Sequence, residues 1–549
     1  GVTALRTSHN PPAAKLLDLC DEMGILVIDE VLDMWERSKT EFDYARFFSR
    51  WVKKDVASWI RRDRNHPSVV MWSIGNEIYD MQAGPRGVEI TKMLAKQVRR
   101  HDPMGHAAVT FGSNYMPWEG AQQCAEYVNA VGYNYAEKLY EKHHLEHPGW
   151  VIYGSETASM LFSRGIYHFP MHSEILSDVD LQCSALGNSI TGWGARNIRS
   201  LIVDDLNNPF SMGQFLWSGT DYIGEPTPYH TRSCYFGMAD TAGFPKDPYY
   251  LFQSLWSDKT MIHIGVTWDW NPGEMIDIPV MSSCPVVALY LNGKCLGRRE
   301  LKPRSAADCM AVWHAPFEAG ELLAVGMDRD GKELCRAVRR TSGDTAELRL
   351  EATDMSLLGD GWDMTFVTVT ARDAAGIPVE NARDRVTVSV SGGGRLLGLD
   401  NGDATDSDGY KVTSRRLFGG KLLIMVGSTG LSEDAVIRVR STGGVETELR
   451  IPVRKHARKP GTSSGERIAG SEGEDLEKHG QALVPVRRVE LIALNGHAMN
   501  PENREIAFTW KVHPENAALG PIQWQVTDEK TIPSKCVTLR EEADRVILR

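Results

Sequence analysis

The chain has 549 residues and a formal net charge of −11, with 61 Lys and Arg against 72 Asp and Glu. That length exceeds one ordinary domain, and so acidic a balance argues against a nonspecific nucleic-acid binder, which needs a basic face. Hydrophobic and charged fractions of 42% and 24% are those of a soluble globular protein.

No apolar run approaches the roughly 18 residues of a membrane helix, so no membrane span is predicted. The longest, Gly24 to Ile28, stops at Asp29 and Glu30. Nine cysteines (Cys20, Cys124, Cys183, Cys234, Cys284, Cys295, Cys309, Cys335 and Cys536) are scattered, without a CxxC pair for zinc or redox chemistry. Free thiols in a reducing compartment are expected, which favours the cytoplasm.

In chain order, short apolar runs alternate with amphipathic stretches as far as about Trp256. The runs are Val2 to Leu5, Gly24 to Ile28, Val69 to Ile74, Ala107 to Phe111, Val128 to Tyr133, Trp150 to Tyr153 and Gln214 to Trp217. Helices are predicted over Ala13 to Cys20, behind Pro11 and Pro12, over Asp43 to Arg62, apolar at Phe47, Val52, Val56, Trp59 and Ile60, and over Glu89 to Arg100. Such a βαβα rhythm implies a parallel sheet covered by helices. No GxGxxG or GxxxxGK[ST] loop follows any strand, which disfavours a nucleotide-binding doubly wound sheet and favours a barrel. Seven strands are countable and the first starts with the chain. An open barrel would expose two edges, so the chain is expected to begin inside a domain whose first strand lies upstream. The missing signal peptide then says nothing about export.

After Trp256 the period becomes two. Val286 to Leu291 leads into Asn292-Gly293, a strong hairpin signal, and Thr365 to Thr370, Val386 to Val390 and Ala435 to Val439 read as further strands. The expected division is a barrel over 1–257, a β-sandwich over 258–343, an immunoglobulin-like sandwich over 344–455, a polar flexible linker over 456–480, and a partial immunoglobulin-like module over 481–549.

Two stretches carry chemistry. Trp72-Ser73-Ile74-Gly75-Asn76-Glu77 and Trp150-Val151-Ile152-Tyr153-Gly154-Ser155-Glu156 each run from an apolar strand through a glycine to a glutamate. In a parallel barrel, C-terminal strand ends face the active site. One such carboxylate could simply face water. Two, delivered alike on strands three and six of those visible, suit glycoside hydrolysis, and about 5 Å apart they would suit the retaining kind.

These residues, with Arg6-Thr7-Ser8-His9-Asn10-Pro11 and Arg64-Asn65-His66-Pro67-Ser68, resemble glycoside hydrolase family 2. The resemblance implies a multidomain protein with a (β/α)8 TIM barrel, its first strand here missing, followed by all-β immunoglobulin-like modules. It implies Glu77 as acid/base and Glu156 as nucleophile, Asn76 on the sugar 2-hydroxyl, and Tyr135 and Arg6 against the nucleophile. His9 and Trp217 would line the sugar pocket. Phe215 to Tyr229, Phe236 to Asp240, Gly243 to Asp247 and Leu289 to Lys294 resemble the family's β-galactosidases.

The substrate implied is a β-galactoside carbohydrate, with no cofactor, no nucleic acid, and a homo-oligomer left open. An Asn-x-Lys element of the kind with which family β-glucuronidases grip a sugar carboxylate is not evident after Tyr222, which lowers that alternative. Acidic and His ligands for magnesium are not evident around Asp33 to Glu36, so no metal is predicted. The rival reading is a non-catalytic carbohydrate-associated module array. Further expectations are a raised pKa for Glu77 and a depressed one for Glu156, His66 as a turn anchor, Tyr133 as packing, and Lys246 on the surface rather than reaching the site from a loop.

Overall fold

The computed structural model describes the chain except residues 1, 83, 172–174, 177–188, 191–196, 228–230, 458–483, 485, 497, 500–502, 527–533 and 535. The linker expected over 456–480 therefore lies outside the described residues from 458 onward. Two compact units are present: residues 1–160, 190–219 and 302–309 form one, and 161–189, 220–301 and 310–549 the other.

The first unit is built on seven parallel strands, β1 (Ala4–Arg6), β2 (Leu26–Glu30), β3 (Val69–Asn76), β4 (Ala108–Ser113), β5 (Val131–Asn134), β6 (Ile152–Ala158) and β7 (Gln214–Trp217). They pair in chain order. A doubly wound sheet would reverse its order at a switch point. This one never does, and β1 and β7 come within 8 Å between Cα atoms, so the sheet curls almost onto itself. Helices α1 (Ala14–Met23), α2 (Ala45–Asp63) and α3 (Pro85–His101) follow β1, β2 and β3.

Each helix is placed by its apolar stripe. In α2 the buried apolar positions are Phe48, Val52, Val56, Trp59 and Ile60, with Phe48 inside where Phe47 was expected. The i, i+4 spacing from Val52 selects 48, and Phe47 is left 45% exposed. Trp59 meets Trp72 of β3 edge-on at 5.1 Å. Helix α1 ends at Gly24, whose φ of 69° lets its N–H return to Cys20 O.

Strand β3 shows how the sheet sorts its side chains. Val69, Trp72 and Ile74 join the core that includes Trp59 and Leu94, while Met71 packs with Ile28, Ala130 and Tyr153 in a separate cluster. The pairing register then shifts between Ser73 and Asn76 on β3 against β4, between Tyr133 and Asn134 on β5 against β6, and between Gly154 and Thr157 on β6 against β7. Such irregularities re-aim side chains at strand ends. His66 does anchor a turn: its Nδ1 lies 2.7 Å from Asp21 Oδ2, just before β3.

In the second unit, a three-stranded antiparallel sheet (262–264, 275–282, 311–316) and a four-stranded one (286–291, 294–300, 321–327, 333–340) share a core around Ile276, Ile278, Val287, Leu289 and Trp313. Asn292 and Gly293, at φ 50° and 81°, turn the hairpin between Leu291 and Lys294, as Asn-Gly predicts. Two four-stranded antiparallel sheets between 347 and 451 enclose a core of Val367, Val369, Ile424 and Ile437. A last four-stranded antiparallel sheet runs from Arg488 to Leu548.

Lys246 corrects an expectation. It is 2% exposed, with Nζ 2.7 Å from Asp221 Oδ1 and 3.3 Å from Tyr235 O. An ion pair with a residue 25 positions away carries it inside.

Eight of the nine cysteines are described, and all eight are free; Cys183 lies outside the described residues. No helix among the described residues is long and apolar enough to cross a membrane.

Candidate active site

The seven residues singled out in the sequence fall on or next to the C-terminal ends of β1, β3, β5, β6 and β7. The structure joins six of them, with Glu30, Asn134 and Ser155, into one polar network. Arg6, at the end of β1, is its hub. Its Nη1 donates to Glu156 Oε1 at 2.8 Å, and its Nη2 to Glu30 Oε2 at 2.8 Å and to Asn76 Oδ1 at 2.9 Å. Burial disfavours the Arg6 cation, but the charges of Glu30 and Glu156 outweigh it and raise the pKa.

Glu30 is fully buried. Burial alone would protonate it; Arg6, His9 and the Ser73 hydroxyl hold its carboxyl down at about 2. Ser73 Oγ donates to it at 2.5 Å and His9 Nδ1 lies 2.7 Å away. The other edge of the His9 ring, Nε2, is 3.6 Å from Glu156 Oε1. Trp217 stacks flat on that imidazole, centroids 5.1 Å apart and planes 11° apart. Burial lowers the His9 pKa, but contact with Glu30 turns the net shift upward.

Glu156 accepts on both oxygens: from Arg6 on Oε1, and from the Tyr135 hydroxyl on Oε2 at 2.9 Å. Its carboxylate is therefore fixed in rotation. Burial raises the Tyr135 phenol far above its ordinary value, with the neighbouring Glu156 and Glu77 adding to it, so Tyr135 stays a donor.

Glu77 is held differently. Asn134 Nδ2 donates to its Oε1 at 3.1 Å, and no described residue donates to Oε2. Burial, then the nearby charge of Glu156, raises its pKa. Two carboxyl groups in one site thus have unlike surroundings, one pinned by a cation and a phenol and the other desolvated with an open oxygen. Such a pair can divide nucleophile and acid roles.

The backbone is bent to achieve this. Glu77 and Tyr135 have φ of 45° and 53°, a left-handed conformation that costs a non-glycine residue about 1 kcal/mol or more. Glu77 N–H donates to Gly112 O at 2.8 Å, and Tyr135 N–H to Glu156 O at 2.9 Å. Bare glycines make room: a Cβ on Gly132 would sit 2.5 Å from Ser155 Oγ and 2.7 Å from Phe111 O, and one on Gly112 would sit 3.0 Å from Arg6 Nη2.

Sequence reasoning gave no role to Glu30, Ser73, Asn134, Ser155, Asp33 or Lys39. Glu30 ends Val27-Ile28-Asp29-Glu30 just as Glu77 ends β3, and that parallel was its signal. Asn134 bridges Asn76 Oδ1 (3.0 Å) and Glu77, and is itself held by Ser155 Oγ at 2.5 Å. Asp33 Oδ1 accepts from Asn76 Nδ2 at 2.9 Å and from Lys39 Nζ at 2.7 Å, and Lys39 also donates to Asn76 O at 3.1 Å. Asp33 and Lys39 lie in the loop after β2, where no strand pattern marks them. Among the described residues, no group of three or more His, Cys, Asp or Glu side chains is arranged to hold a metal ion.

Comparison with known proteins matches residues 1–159 to the TIM barrel domain of glycosyl hydrolases family 2, residues 348–450 to glycoside hydrolase family 2 C-terminal domain 5, and residues 273–335 to a domain of unknown function. β-Galactosidase BoGH2A of Bacteroides ovatus is 35% identical over 494 residues, 82% of this chain and 57% of that protein. A putative β-glucuronidase of Formosa agariphila is 29% identical over 447 residues, 77% of this chain and 42% of that protein. The crystal structure of a β-glycosidase from Bacteroides vulgatus superposes with a TM-score of 0.72 at 29% identity, covering 82% of this chain and 59% of that one. The chain spans about half the length of the curated relatives it matches. With a family barrel at one end, a family C-terminal domain beyond it and a β-galactosidase as a relative along most of its length, the chain belongs to glycoside hydrolase family 2.

Proposed function

We propose that the protein is a retaining exo-β-galactosidase that removes terminal non-reducing β-D-galactosyl residues by double displacement. The unlike holding of Glu77 and Glu156 is the observation that supports it most. Glu156, fixed by Arg6 and Tyr135, attacks the anomeric carbon and forms a galactosyl ester, while Glu77, its proton retained by desolvation, protonates the departing oxygen. The Glu77 carboxylate left behind takes a proton from water as that water attacks the ester, and the sugar departs with its configuration retained. Asn76, held by Arg6, Asp33 and Asn134, presents its amide to the sugar 2-hydroxyl. His9 and Trp217 form an aromatic wall for the ring. No cofactor enters this scheme, and the carbohydrate is the partner.

A β-glucuronidase is the second reading, favoured by the Formosa relative and by the Lys39 cation beside Asn76. Lys39 is already committed to Asp33 and Asn76 O, so a sugar carboxylate would have only its third N–H to bind. The antiparallel sheets beyond the barrel support the modular division at 257, 343 and 455 as part of the same proposal.

Azide rescue tests the roles. Glu156→Ala should abolish turnover of an aryl β-galactoside, with azide yielding the α-galactosyl azide; Glu77→Ala with azide should yield the β-azide. Azides of the opposite configurations, or undiminished turnover by Glu156→Ala, would refute the assignment. Preference for a nitrophenyl β-glucuronide over the β-galactoside would select the second reading.

A further inference from the structure

Two thiols of the module that follows the barrel lie against each other with no bond between them. Cys284 Sγ is 3.5 Å from Cys335 Sγ, across 51 positions of sequence. Cys284 stands just ahead of the strand Val286–Leu291, and Cys335 is on the strand Glu333–Arg340. The strand Glu321–Met327 runs between those two, so the sulfurs meet over a strand to which neither belongs.

The residue beneath them is Gly326, which pairs with Cys335 on one side and Val287 on the other. A Cβ there would sit 2.7 Å from Cys284 Sγ and 2.8 Å from Cys335 Sγ. Its φ lies outside the left-handed region, so the backbone conformation would accept alanine; it is the room taken by the two sulfurs that calls for glycine. The pairing register also shifts between Gly326 and Met327, opposite Cys335 and Glu333, an irregularity of the kind that re-aims a side chain. Cys284 is held in place by its N–H, which donates to Ser282 Oγ at 3.0 Å. It is buried, whereas Cys335 is half-buried. Glu333–Arg340 is the outer strand of its sheet, with Leu334 and Val338 exposed, and such an edge is prone to fray.

We infer that Cys284 and Cys335 are a disulfide-forming pair, a covalent modification site that ties the outer strand of this sheet to the segment ahead of Val286–Leu291 when the protein meets a small-molecule disulfide. Cys335, half-buried, is the thiol such a reagent reaches. It gives its proton to water, its sulfur bonds to one sulfur of the reagent, and the other sulfur leaves as a thiolate. Cys284 then loses its proton and attacks the Cys335 sulfur, expelling the second half of the reagent. Two protein thiols are oxidised to one disulfide, and one reagent disulfide is reduced to two thiols. The sulfurs close to about 2.0 Å. Burial, with Cys284 adding to it, raises the pKa of the Cys335 thiol, so the first step is slow at neutral pH and the pair persists as thiols where reductant is abundant. The site takes no part in the hydrolytic scheme and is tested apart from it.

The full chain is incubated with oxidised glutathione at about pH 8.5, where thiolate is more abundant, then digested without reduction and mapped by mass spectrometry. A peptide linking Cys284 to Cys335 is expected. The oxidised protein should melt about 5–10 °C above the reduced one, and Cys335→Ser should abolish that difference. Gly326→Ala keeps both thiols but drives a methyl group between them, and should suppress the linked peptide. Unlinked Cys284 and Cys335 in wild-type protein whose exposed Cys295 and Cys536 have reacted would overturn the inference. So would linkage of either one to a different cysteine, or an equal rise in melting temperature for Cys335→Ser.

Discussion

Glu137 offers a quantitative test of how burial governs charge in this fold. It opens the short turn Glu137–Leu139 just past Tyr135, is 4% exposed, and neither of its oxygens finds a hydrogen-bond partner among the described residues. Burial first, and then the charge of Asp204, raises its pKa from 4.5 to about 7. The folded protein thus holds this proton more tightly than the unfolded chain does. The stability it contributes is fully present below about pH 4.5, falls as pH rises through the window from 4.5 to 7, and is gone above it. A displacement of that size corresponds to roughly 3 kcal/mol at full ionisation.

Glu137→Gln keeps the shape and removes the charge. The variant should match wild type near pH 4 and exceed it by about 3 kcal/mol at pH 8. For a unit of this size, that is roughly 6–12 °C in the midpoint of its transition. Scanning calorimetry of both proteins across pH 4 to 8 reads the difference directly. A gap of constant size across that range, or a variant less stable than wild type at pH 8, would refute the argument.

Two other substitutions probe packing and pairing. Gly132→Ala forces a methyl group against Ser155 Oγ and Phe111 O and should cost about 1–3 kcal/mol of stability, measured by thermal unfolding; turnover should also fall, because Ser155 holds Asn134 and Asn134 holds Glu77. Asp221→Asn leaves the Lys246 ammonium buried without its counter-charge and should destabilise by about 3–5 kcal/mol, with the double variant Asp221→Asn/Lys246→Met regaining most of it in the same assay.

Periodicity carried the architecture well. All seven strands of the parallel sheet and three of its covering helices sit where apolar runs and stripes placed them, and Asn292-Gly293 turns the hairpin its dipeptide announces. The strand-Gly-Glu repetition singled out two glutamates that the fold brings into one polar network, and it could do so because it is local: each motif holds its own strand, bend and carboxylate. Less legible was whatever depends on distant partners. Glu30 looked like the end of an apolar run until Arg6 and Ser73, 24 and 43 positions away, closed on it. Lys246 looked like a surface residue because Asp221 lies 25 positions back. Asp33 and Lys39 had no pattern at all, since a loop residue gains its role only from what the fold brings against it.

Arg6 sits on a strand of three residues, and its hydrogen bond to Glu156 joins positions 150 apart in the chain. Local helices can form long before that bond exists, because a contact of such separation must first overcome the entropy of closing a very long loop. Hydrolytic competence should therefore be among the last properties acquired during refolding, trailing the recovery of helical signal. Activity then serves as a clock for the moment at which β1 closes on β6.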